Sequence, residues 1–125
     1  AGKLVETATD VDGVRLLAHD AGEDVGAGDL RTLALDLRSR LGEDRPVTVA
    51  VAGHEDGRAA LVIATNAAAR DRGLAAGAIL RGAAEAMGGR GGGKPDMAQG
   101  GGGEPARIPS ALTSVREAIA AAASA

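Results

Sequence analysis

Apolar positions along this chain repeat with two different periods, and the switches between them mark its elements. Leu30, Leu33, Ala34, Leu37 and Leu41 fall at i, i+3, i+4, i+7 and i+11, the spacing of one buried helical face. Asp29 is the expected N-cap of that helix and Gly42 its stop. Val47, Val49 and Val51 then alternate with Thr48 and Ala50, whereas residues 59–64 are continuously apolar. These two segments predict an antiparallel hairpin around the turn-rich residues 53–58, its second strand buried on both faces. Upstream, Leu4, Val5 and Thr7 predict a weak strand, and residues 14–18 predict a stronger one after the Asp12-Gly13 turn signal.

A second helical region is expected from near Asn66, broken at Gly73 and resuming over 74–87, with Ala75, Ile79, Ala83 and Ala86 inward. Gly77 and Gly82 each weaken that helix by about 1 kcal/mol relative to alanine, so a close neighbour is expected at both. A final helix starts near Pro109 and runs to about Ala123, with Leu112, Val115 and Ile119 inward. The order predicts an α/β (α+β) fold: a single mixed β-sheet flanked by helices, with a glycine-rich loop between the last two helices.

That loop, residues 88–103, reads G-G-R-G-G-G-K-P-D-M-A-Q-G-G-G-G, nine glycines in sixteen positions. Glycine lets a ligand approach the main chain closely, and successive exposed N–H groups form an anion-binding concavity. With Arg90 and Lys94 interleaved, the composition points to phosphate. The plain alternative is a mobile connector. The run also nears the P-loop pattern G-x-x-x-x-G-K-[ST], but Pro95 brings no hydroxyl for Mg²⁺ and the segment follows a helix instead of a strand. Nucleotide hydrolysis is therefore not expected.

At 125 residues the chain is long enough for one domain with its own core. It contains no Phe, Trp, Tyr or Cys. Bases cannot stack on aromatic side chains, and thiolate metal sites, thiol nucleophiles and disulfides are excluded. No apolar run of 18 residues and no charged-then-apolar leader occurs, so a soluble, cytoplasmic protein without membrane contact is expected. The net charge of −3 argues against a broad cationic surface. Residues 1–65 hold 7 Lys/Arg against 12 Asp/Glu, a balance of −5, and residues 66–125 hold 7 against 5, or +2. A polyanion partner is thus expected at a small site in the second half. His19 and His54, the only imidazoles, lie far apart and lack convergent partners, so no catalytic residue and no metal ligand is expected.

The string from Gly88 to Gly103, with P-D-M-A-Q after a triple glycine, closely resembles the signature of the C-terminal (C-Ala, DHH-associated) domain family of alanyl-tRNA synthetases. The resemblance spans roughly residues 12–120, taking in the helix at Leu30–Leu37, the strand at 58–65, the helix at 74–87 and the closing helix at 108–119. It implies that 1–125 is a single tRNA-binding domain with 88–103 as its binding loop. Its partners would be tRNA(Ala), touched at the outer corner where D-loop and T-loop meet, and upstream domains of the same chain. Aminoacylation by the alanine–tRNA ligase and editing, with their ATP, Mg²⁺ and Zn²⁺, would belong to those upstream domains; the chain itself would be non-catalytic and hold no cofactor. The implied RNA-binding set is Arg90, Gly91, Gly92, Gly93, Lys94, Asp96, Gln99 and Gly100, with Asp96 ordering the loop and Met97 packing beneath it. Two other readings stay open: a substrate-binding domain of a DHH-family phosphoesterase, in which a triple glycine precedes His where this chain has Lys94, and a dimerisation module built on the Ala-rich last helix.

Overall fold

Two Asp-Gly steps close the hairpins that organise the sheet. Both residues of each step have positive φ, 51° and 88° at Asp12-Gly13 and 53° and 74° at Asp56-Gly57, as the favoured two-residue hairpin turn demands. The computed structural model describes residues 4–124; the extreme ends of the expected 1–125 unit lie outside the described residues. The first step joins strands β1 (Thr9–Val11) and β2 (Val14–Glu23), and the second joins β3 (Val47–Glu55) and β4 (Arg58–Thr65). β3 therefore extends through His54 and Glu55, which the sequence assigns to the connector. β2 and β3 pair in parallel, a connection that needs a crossover, supplied by helix α1 (Ala27–Leu41).

Apolar side chains on both faces of the sheet then fix the layers. Leu17, Val47, Val49, Val51, Val62 and Ala64 pack with Leu30, Ala34 and Leu37 of α1. On the opposite face, Leu16, Ala50, Leu61 and Ile63 pack against helices α3 (Ala76–Ala86) and α4 (Ile108–Ser124), through Leu80, Ala83, Val115 and Ile119 among others. β4 lies under both layers, which is why its sequence is continuously apolar. The short helix α2 (Ala67–Asp71) is N-capped by Asn66, and Gly73, at φ 84°, ends it before α3.

The predicted glycine loop is a hairpin. It lies between the last two long helices, but as strand β5 (Arg90–Gly93), a turn, and strand β6 (Met97–Gly103). β6 adds antiparallel to β4 and β5 to β6, completing one six-stranded mixed sheet in the order β1-β2-β3-β4-β6-β5. Without side chains there is no alternation to read, so the strands are silent in the sequence. Three smaller expectations also shift. Leu4–Thr7 is a 3-10 turn, with the strand following it. Gly26 is the N-cap of α1, and Asp29 stands in the first turn, where a carboxylate favours the positive helix end. The buried side of α3 carries Ala76, Leu80 and Ala84 beside Ile79 and Ala83, while Ala75 and Ala86 are only half-buried.

Candidate functional site

The glycines of 88–103 separate into two groups by what a β-carbon would meet. At Gly91 it would lie 2.5 Å from the Gln99 carbonyl oxygen and 2.7 Å from a Leu80 methyl, and at Gly100 it would lie 3.1 Å from that methyl. At Gly103 it would meet the Met87 side chain at 2.6 Å, and at Gly93 the Ala98 backbone at 2.6 Å. These positions are glycine because β5 and β6 lie tight against each other and against α3. Gly92, Gly101 and Gly102 are different: a β-carbon there meets nothing within 4 Å. Gly92 pairs with Gln99 and Arg90 pairs with Gly101, so these four residues share the face of the hairpin that looks toward the α1 side. α1 lies over β3 and β4 and reaches only the near edge of β6. What remains is an open surface of bare backbone with Arg90 and Gln99 standing on it.

The turn of the hairpin is held from three directions. The Ala76 and Gly77 N–H groups donate to the carbonyls of Pro95 (2.8 Å) and Lys94 (3.2 Å), so the turn itself satisfies the first donors of α3. The Thr65 hydroxyl donates to the Pro95 carbonyl at 2.9 Å, and the Thr65 N–H to the Asp96 carbonyl at 3.0 Å. Arg38 of α1 donates to that same Asp96 carbonyl at 3.2 Å. Asp96 therefore orders the turn through its backbone; among the described residues its carboxylate, expected to accept N–H groups, takes part in no such bond, and the side chain is exposed. Met97 does pack inward, against the α1-side core. Lys94 is exposed at the turn, and Arg31, Gly92, Lys94, Asp96 and Gln99 line an open depression of about 400 Å³.

Arg31 is a member that sequence reasoning missed. Its Nε and Nη2 both donate to Gln99 Oε1, the Nε bond at 3.0 Å, which fixes Gln99 and sets the guanidinium over the hairpin. The available signal was its position one residue past Leu30 on α1, on the flank nearest β6. Arg38 and Arg70 were missed as well. The expected RNA-binding residues are thus brought together on one hairpin, but they do not share one face: Arg90, Gly92 and Gln99 lie on the open face, whereas Gly91, Gly93 and Gly100 turn their α-carbons toward α3, with Gly100 buried. His19 and His54 fall on separate strands, β2 and β3. Among the described residues no three His, Asp or Glu side chains converge as a metal-holding group, and no helix is long and apolar enough to cross a membrane.

The DHHA1 domain model matches residues 13–121, nearly the whole fold described above. The chain belongs to the DHHA1 domain family. This DHHA1 domain is 57% identical over 120 residues to the alanine–tRNA ligase of Paenarthrobacter aurescens, covering 96% of the chain and 13% of that protein. It is 54% identical over 109 residues to the alanine–tRNA ligase of Kineococcus radiotolerans, covering 87% of the chain and 12% of that protein. The chain thus spans only about an eighth of the length of these full-length ligases. The C-Ala domain of Aquifex aeolicus alanyl-tRNA synthetase superposes on the DHHA1 domain with a TM-score of 0.78 at 29% identity, covering 90% of this chain and 97% of that one. The fold is therefore that of a C-Ala-type DHHA1 domain.

Proposed function

We propose that this DHHA1 domain is the tRNA-binding module of an alanyl-tRNA synthetase of the cytoplasm, and that the open face of the β5–β6 hairpin meets the outer corner of tRNA(Ala). The observation that carries the reading is the surface at Gly92, Gly101 and Gly102, where bare backbone faces outward beside Arg90, Lys94, Gln99 and Arg31. A flat strip of peptide can lie against the flat end of a terminal base pair without an aromatic platform, and the flanking cations are placed for the phosphates on either side. In this reading Gly91, Gly93 and Gly100 position the strip by letting β5 and β6 sit on α3, and Asp96 fixes the turn. Aminoacylation and editing, with ATP, Mg²⁺ and Zn²⁺, belong to other parts of the ligase; the module holds the tRNA that both centres use.

Gly92→Val tests this directly. Its φ lies outside the positive region and a β-carbon there meets nothing, so a β-branched residue suits the strand. The melting temperature should hold while affinity for tRNA(Ala) falls at least tenfold in a gel shift, because the valine stands where a base pair would rest. Replacing Arg90 and Lys94 together with alanine should likewise leave stability within about 0.5 kcal/mol and weaken binding by about 1 kcal/mol or more per lost phosphate contact. Unchanged affinity in both variants would defeat the assignment.

A further inference from the structure

Next to the hairpin turn lies a second cleft, of about 600 Å³, lined by Arg38, Ser39, Gly42, Glu43, Thr65 and Arg70 among others. Two guanidinium groups converge in it on a single backbone carbonyl. Arg38 Nη1 donates to the Thr65 carbonyl at 3.3 Å and to that of Asp96 at 3.2 Å, and Arg70 Nη1 donates to the Thr65 carbonyl at 2.5 Å. Both arginines are half-buried. Their anchors are neutral. The ion pairs among the described residues are Arg40–Asp36 and Arg107–Glu104, so neither Arg38 nor Arg70 is neutralised, although Glu43 and Asp96 border the cleft from exposed positions.

An arginine held by carbonyls keeps its full charge and most of its five N–H donors while losing the rotamer freedom it would otherwise spend on binding. Two such groups brought to within reach of one oxygen leave unused donors on the lining of a common opening, an arrangement that favours a tetrahedral oxyanion. We infer that the Arg38–Arg70 cleft is a phosphate-binding site, and that it takes a backbone phosphodiester of the RNA whose corner rests on the hairpin. The inference builds on the proposed function and adds a second anchor to it. The two sites share the turn: Asp96 and Thr65 carry the carbonyls that fix both arginines, and residues 94–97 border the hairpin face. A strand leaving that face past Lys94 and Asp96 arrives at this cleft.

Because Arg38 and Arg70 also brace the turn, the test leaves them in place. Ala67 is exposed on the cleft rim at the first position of α2, where a carboxylate is compatible with the helix. Ala67→Glu should leave the melting temperature unchanged and weaken binding of tRNA(Ala) about tenfold, the equivalent of one charge-assisted contact. Glu43→Gln should act in the opposite sense and tighten binding. Salt titration supplies a second readout. The slope of log K against log[salt] should be shallower for Ala67→Glu by about 0.7 to 0.9, one phosphate's share. If wild type binds tRNA, but affinity and slope ignore both substitutions, the cleft is only a brace and the inference falls while the hairpin reading stands. If wild type binds no tRNA, both fall. If inorganic phosphate competes at the cleft no better against wild type than against Ala67→Glu, the site is not built for an oxyanion and the inference is overturned.

Discussion

Gly77 and Gly82 stand five positions apart on α3 and look equivalent in the sequence, yet the structure gives them opposite meanings. A β-carbon at Gly77 would lie 2.7 Å from the Gly93 carbonyl oxygen, a backbone atom of the hairpin that cannot swing aside. At Gly82 the nearest atom is the Ser114 hydroxyl at 3.8 Å, an ordinary contact, and φ is not positive. Gly82→Ala should therefore stabilise the protein by roughly 0.5 to 1 kcal/mol, the helix-propensity difference unopposed. Gly77→Ala carries the same gain but pushes the hairpin off α3, so it should be net destabilising by about 1 to 3 kcal/mol, the usual range for overpacking. Chemical denaturation of both variants checks the signs. Two changes of the same sign would mean that the contact between α3 and β5 is not as tight as described.

The joint between elements depends most on Asn66. Only 5% exposed, it accepts at Oδ1 from the Ala69 and Val47 N–H groups, at 2.9 and 3.0 Å, and donates from Nδ2 to the carbonyls of Gly42 and Arg45, at 3.2 and 2.7 Å. One side chain thus caps α2, starts β3 and ties down the connection leaving α1. Asn66→Ala strands several of those backbone groups, so a loss of about 3 kcal/mol or more is expected, well above the roughly 1 kcal/mol of an exposed cap. Thermal melts of Asn66→Ala and Asn66→Asp separate the roles, because aspartate keeps the oxygen that accepts both N–H groups and loses both donations. Asn66 was legible as a helix start but not as a hub, since its partners at 42–47 are distant in sequence. The elements themselves were legible wherever side chains supplied a pattern: α1 from its leucines, β3 from its alternating valines, and β4 from its continuous apolar run after the turn-rich residues 53–58. β5 and β6 had none. The glycines pointed to the candidate site without its form, and the cations around it could not be read because Arg31, Arg38 and Arg70 reach the hairpin only through the fold.

At the scale of the molecule, the arrangement of layers decides which face is open to the proposed RNA. α3 and α4 spend their apolar faces on the sheet, and no large hydrophobic side chain is exposed among the described residues. α1 stops short of β5, leaving the hairpin open on one side only. The charge balance by halves of the chain points a polyanion to residues 66–125, but the fold brings Arg31 of the acidic half to the depression that Lys94 lines and Arg38 to the Asp96 carbonyl, so the proposed cationic face is drawn from both. It is still a small face on a chain of net charge −3. With Arg31, Arg38, Arg70, Arg90 and Lys94 as its cations, and about 0.7 to 0.9 of slope per neutralised phosphate, log K against log[salt] should fall no more steeply than about −4.5. Folded tRNA should be preferred over unstructured RNA of equal length, because the flat hairpin face rewards shape and the five charges alone do not discriminate. A slope near −8 would require more phosphates than these five groups can reach, and equal affinity for unfolded RNA would leave the hairpin with no part in recognition. Either result would move the RNA to a different surface of the domain.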